Sequence, residues 1–122
     1  MQIYGIDLSM EKFDVNFFDQ KNEEQHLIVT NKLMPIVKFL RQLSPGAVLC
    51  AEHTGVYGNL LVFLCSQLGI PISLTSGYSI KHSLGLLKGK SDKLDAKRIR
   101  EYGERFTDRL EFIEYSSETM QE

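Results

Sequence analysis

The spacing of the apolar runs constrains this chain more than anything else in it. Three strand-like runs, "QIYGIDL" at 2–8, "EKFDVNFFDQ" at 11–20 and "HLIVTN" at 26–31, follow one another with only short polar turns between them. Strands joined by so few residues must run antiparallel, so the beginning of the chain reads as a meander. A different rhythm follows. "KLMPIVKFLRQL" carries apolar residues at helical spacing, with Pro35 tolerable in the first turn and "SPG" closing it. "AVLCAE" is then a short apolar run, "VYGNLLVFLCSQLG" a largely apolar helix ended by Gly69, and "IPISLT" a further strand. A strand, a crossover helix and a strand form a parallel unit. The chain therefore reads as α/β, a mixed sheet of three antiparallel strands followed by parallel ones, flanked by helices. Residues 78–87 read as a short helix and "KGKSD" as the approach to a last helix at about 92–106. The tail "TDRLEFIEYSSETMQE" holds a short strand and, in "SSE", the N-cap of a further helix.

A length of 122 residues suits one domain, and 43% hydrophobic with 25% charged residues excludes a disordered chain. No apolar run is long enough to span a bilayer, and the N-terminus lacks the basic and apolar blocks of a signal peptide, so the expected address is the cytoplasm, with no membrane partner. Cys50 and Cys65 lie in apolar runs without a Cys-x-x-Cys pair or a His cluster, and read as reduced core thiols.

Charge is distributed unevenly. The formal net charge is −2, yet residues 81–109 hold nine Lys or Arg against five Asp or Glu. Inside this basic block sits "KSDKLDA", where Asp92 and Asp95 stand three apart among Lys90, Lys93 and Lys97. At about 100° per residue, Asp92, Asp95, Ile99, Tyr102, Gly103 and Phe106 share one arc, while Lys93, Lys97, Arg98, Arg100, Glu101, Glu104 and Arg105 lie on the other side. A plain account is a solvated helix start, because Asp favours the first turn of a helix. A second account weighs the face: a carboxylate turned toward the protein costs several kcal/mol unless it is paired, hydrogen-bonded or bound to metal.

Two further carboxylates sit at strand ends, Asp7 near the end of the first run and Glu52 after "AVLCA". If those strands are parallel neighbours, their carboxyl ends share one edge of the sheet, and the last helix can bring Asp92 and Asp95 there. Carboxylates crowded in that way need a cation, and hard oxygen ligands select Mg2+ or Mn2+.

"GIDLSMEKFDV", "AEHTGVYGNLL" and "KSDKLDAKRIREYGERF" resemble, in that order, the motifs of the N-terminal RuvC-like domain of DEDD-type insertion-sequence transposases, relatives of the Piv-type DNA invertases. The resemblance spans about residues 3–106. It implies a ribonuclease H-like fold in which Asp7, Glu52, Asp92 and Asp95 are the acidic tetrad that binds divalent metal for DNA cleavage and rejoining. It also implies a serine nucleophile in a separate C-terminal domain, DNA and a guide RNA as partners of the full-length protein, and a homo-oligomer. On that reading residues 1–106 are the catalytic domain and 107–122 lead toward a second domain that this chain does not contain. Ser116 and Ser117 fall in the tail, beyond the matched motifs.

Lys88, Lys90, Lys93, Lys97, Arg98 and Arg100 are the expected phosphate contacts, which position nucleic acid without reading its sequence. His53 reads first as a structural loop residue and second as a phosphate or metal-water contact. Thr54, Gly55 and Gly58 shape the turn after Glu52, and Tyr57 reads as packing rather than base stacking. A free-standing RuvC-like junction nuclease and a non-catalytic nucleic-acid-binding module are the competing readings. An actin-like ATPase is disfavoured, because "GIDLSMEK" lacks the Gly-Thr phosphate turn.

Overall fold

The structure, a computed structural model, describes residues 1–53, 55–76 and 92–113, and of 92–94 the backbone only. The helix read at 78–87, the "SSE" cap, Thr54, Lys88, Lys90, Ser116 and Ser117 lie outside the described residues. The first three runs fold as expected into β1 (Gln2–Leu8), β2 (Lys12–Phe18) and β3 (Glu24–Thr30). After α1 (Leu33–Arg41) come β4 (Ala47–Glu52), α2 (Asn59–Leu68), β5 (Ile72–Thr75) and α3 (Asp92–Arg105). The five strands form one sheet in the order β3-β2-β1-β4-β5. Antiparallel pairing joins β1 to β2 and β2 to β3, while β4 runs parallel to both β1 and β5.

Each face of the sheet has its own core. Tyr4, Ile6, Leu8, Phe13, Val15, Leu49 and Ala51 pack against Ile36, Phe39 and Leu40 of α1 and Leu61, Val62 and Cys65 of α2. Phe39 meets Phe13 edge-on at a centroid separation of 6.0 Å, so α1 is anchored by aromatic geometry as well as by area. On the opposite face, Ile3, Val48 and Cys50 meet Ile99 and Tyr102 of α3 in a smaller cluster. β1 is thus buried from both sides, which explains its nearly continuous apolar run. Gly69 closes α2 at φ 69°, in the left-handed conformation that glycine adopts without penalty.

Two details differ from expectation. The helix read from Val56 is a 3-10 turn at Gly55–Gly58 followed by α2, and it leaves Val56 and Tyr57 exposed rather than packed. Its position is set by Gly58, where a β-carbon would stand 2.9 Å from Leu8 Cδ1, and by Asn31, whose Nδ2 donates to the Tyr57 carbonyl at 2.9 Å. The strand read in the tail is a single antiparallel bridge between Phe112 and Ser73, reinforced by Ile113 N–H donating to the Ile72 carbonyl at 3.0 Å.

Candidate metal and nucleic-acid site

Strand register sets the site. Ile6 is paired with Ala51 across the parallel β1–β4 ladder, so the next residues, Asp7 and Glu52, stand side by side at the carboxyl edge. Both lie on the α3 face, because side chains alternate and their neighbours Ile6 and Ala51 belong to the other core. Both are half-buried.

The direction of α3 follows from two glycines. A β-carbon on Gly5 would collide with the carbonyl oxygen of Ala96 and the backbone nitrogen of Arg100, and one on Gly103 would stand 2.8 Å from Ile3 Cγ2. Going from Gly103 to Ala96 along the helix therefore runs from Ile3 to Gly5 along the strand, and α3 is antiparallel to β1. Two strand residues advance roughly 6.6 Å, the rise of four to five helical residues. One such step beyond Gly5 reaches Asp7, and the matching step along α3 reaches the first turn, where Asp92 and Asp95 sit. All four acids predicted from sequence thus belong to elements that meet at one end of one face.

Their side chains are placed unequally. Asp95 is partly exposed, and its Oδ1 lies 3.7 Å from Arg98 Nη1 within α3. For Asp92 the backbone alone is described. Among the described residues no three His, Cys, Asp or Glu side chains gather closely enough to hold a metal ion. The donors are uniformly carboxylates, and that chemistry fits a hard divalent cation and not a soft one.

Of the expected phosphate contacts, Lys97 is partly exposed, with Nζ 3.6 Å from Glu24 Oε2, and Arg98 is turned toward Asp95. Arg100 corrects the sequence reading. Expected on the outer face, it is 3% exposed: Nε donates to Asn16 Oδ1, Nη1 to Glu104 Oε1 at 2.5 Å, and the guanidinium lies 4.5 Å from the Phe18 ring centroid. The buried stripe of α3 is accordingly centred nearer Ala96, Ile99 and Arg100 than the apolar residues alone implied. A helical wheel scores Arg as outward, but an Arg with a full set of partners can be buried. The Asn16 amide, which donates to Glu24, does most to hold the Glu24 carboxyl below its usual range; desolvation opposes it, and the Lys97 and Arg100 charges add to the lowering. His53 is exposed.

One acid was missed in the sequence. Asp14 is 4% exposed and pairs in register with Asp7, on the same face. Lys12 Nζ lies 2.5 Å from one of its oxygens and His26 Nε2 2.7 Å from the other. The alternation in "KFDVNFF" carries the signal, since Asp14 and Asn16 share the face that Phe13, Val15 and Phe17 leave.

No protein-family model and no curated protein matches the sequence. Solved structures do match in shape. The RuvC of T. thermophilus in complex with Holliday junction substrate superposes with a TM-score of 0.63 at 12% identity, covering 93% of this chain and 99% of that one. A second Thermus thermophilus RuvC structure gives 0.60 at 13% identity, covering 93% and 100%. Among the described residues no helix is long and apolar enough to cross a membrane. The chain has the RuvC type of ribonuclease H-like fold, a mixed five-stranded sheet flanked by helices.

Proposed function

We propose that this chain is the catalytic domain of a metal-dependent DNA phosphoryl-transfer enzyme, with Asp7, Glu52, Asp92 and Asp95 as its metal ligands. The observation that carries the reading is the convergence of β1, β4 and the first turn of α3 at one edge of the sheet. Bound there, Mg2+ or Mn2+ would polarise the scissile phosphate and stabilise charge on the attacking and leaving oxygens. Asp7 and Glu52 would supply oxygen donors from adjacent strands, and Asp92 and Asp95 from the helix above them. Lys97, with Lys93, Lys90 and Lys88 earlier in the basic block, would hold phosphates beside that edge. Arg100 is excluded from this role by its burial.

Within this class the three quoted motifs favour a DEDD-type transposase domain. It would act with a serine nucleophile from a C-terminal domain and with a guide RNA, in a homo-oligomer. A second reading has an observation of its own: the similar RuvC was captured on a Holliday junction, and this chain spans 99% of that one's length. A junction nuclease would use the same four acids with water as nucleophile.

The test is a labelled four-way junction incubated with the protein and Mg2+ or Mn2+. Metal-dependent cleavage that disappears in Asp7→Ala supports the nuclease reading. Binding without cleavage, together with strand transfer once the serine domain is supplied, supports the transposase. Absence of junction binding and of any metal response would overturn both.

A further inference from the structure

We propose that Arg100, through its clasp on Asn16, is a positioning residue that sets the register of α3 over the sheet and so places Asp92 and Asp95 opposite Asp7 and Glu52. The inference rests on the reading of those four acids as metal ligands.

Besides the close approach at Gly5 and the Lys97–Glu24 pair, α3 meets the sheet through apolar packing and through Arg100. Ile99 and Tyr102 pack on Ile3, Val48 and Cys50, which holds the helix down. Such apolar contacts are non-directional and leave sliding and rotation only loosely determined. Rotation matters here, because a slip of one residue turns each carboxylate by about 100° and carries it off the face. A directional contact is needed, and Arg100 supplies it.

Arg100 engages one rung of the sheet. Asn16, the acceptor of its Nε–H, is the register partner of Gly5, against which the α3 backbone lies. Two residues further along the same strands is the acid rung, where Asp14 pairs with Asp7. On the helix, Asp95 and Asp92 precede Arg100 by roughly 7.5 and 12 Å of rise. The clasp therefore measures out both distances from one point. Glu104 Oε1 at 2.5 Å and Glu24 Oε2 at 3.8 Å, both on exposed side chains, hold the remaining guanidinium nitrogens, and the Phe18 ring covers the guanidinium face. An arginine fork with donors in fixed directions makes this register specific; a lysine cannot reproduce it.

The test is Mn2+ binding by isothermal titration, with thermal melting measured alongside, for the wild type, Asp7→Ala, Arg100→Lys, Asn16→Ala and Glu104→Gln. Residues that orient metal ligands from behind typically change affinity by about 10- to 100-fold. That loss is expected for Arg100→Lys and Asn16→Ala at a temperature where both remain folded, and about a threefold loss for Glu104→Gln. A role confined to stability would lower the melting temperature and leave the affinity of the folded protein unchanged. Wild-type affinity in folded Arg100→Lys and Asn16→Ala overturns the proposal; if those two unfold, wild-type affinity in Glu104→Gln overturns it. Equal Mn2+ binding by wild type and Asp7→Ala would instead remove the metal-site reading on which it rests.

Discussion

Asp14 stands directly opposite Asp7 across the antiparallel β1–β2 ladder, and its own carboxylate is held by Lys12 on one side and His26 on the other. Like charges opposite one another in a sheet are destabilising, and the Lys12 ammonium, together with the His26 contact, offsets the repulsion where Asp14 is buried. Asp14→Ala leaves a lysine and a histidine without the acceptor they share. The expected cost is about 1–3 kcal/mol of stability, read from urea unfolding at neutral pH. A variant as stable as the wild type would mean that relief of repulsion outweighs the lost hydrogen bonds.

Gly5 admits no side chain, because the α3 backbone occupies the space a β-carbon needs. Gly5→Ala should lift α3 from the sheet and cost at least about 2 kcal/mol. Gly46, in an open turn at φ +81° with nothing within 4 Å of a β-carbon, serves as the control. Gly46→Ala carries only the backbone penalty of a left-handed residue, about 1 kcal/mol. Equal losses would argue against the close approach of helix and strand.

Burial raises the Cys50 thiol from 9.0 to about 11, slightly countered by Thr75, and raises Cys65 to about 12. In the unfolded chain both thiols ionise near the ordinary value. Their raised folded values therefore contribute stability that is fully present below about pH 9 and is lost as pH rises toward 11–12. Alkaline unfolding should shift to higher pH in Cys50→Ser only if ionisation of that thiol drives it. In the native protein at pH 8, both thiols should react with Ellman's reagent far more slowly than after denaturation.

Lys97 is partly exposed beside the carboxyl-bearing face, and Lys93 precedes it by one helical turn. Replacing both with Ala should weaken DNA binding about equally across sequences and reduce the log–log salt slope by roughly two. Stability should change little, since Ala is a strong helix former and the Lys97–Glu24 ion pair lies on partly exposed side chains, worth at most about 1 kcal/mol. An unchanged slope would place the phosphate contacts elsewhere.

Much of this arrangement was legible in the chain. The runs at 2–8 and 47–52 became β1 and β4 with their bounds intact, because strands in the middle of a sheet are continuous in hydrophobicity. That pattern also placed Asp7 and Glu52 at strand ends. Arg100 is buried by a partner distant in sequence: Asn16, 84 residues away, is invisible to any local period. Asp14 is different, because its partners Lys12 and His26 are near and the strand's alternation already puts it on the α3 face. The 3-10 turn at Gly55–Gly58 escaped as Arg100 did, being set by Leu8 and Asn31 from other elements.

The central claim is that Asp7, Glu52, Asp92 and Asp95 form one divalent-metal site. Substoichiometric Mn2+ added to 15N-labelled protein tests it most directly, because the ion broadens the amide signals nearest to it. The account predicts that signals of Asp7, Glu52 and Asp95 and their immediate neighbours vanish first, that those of α1 persist, and that Asp7→Ala removes the effect. Broadening centred on any other part of the chain, or unchanged by Asp7→Ala, would contradict it.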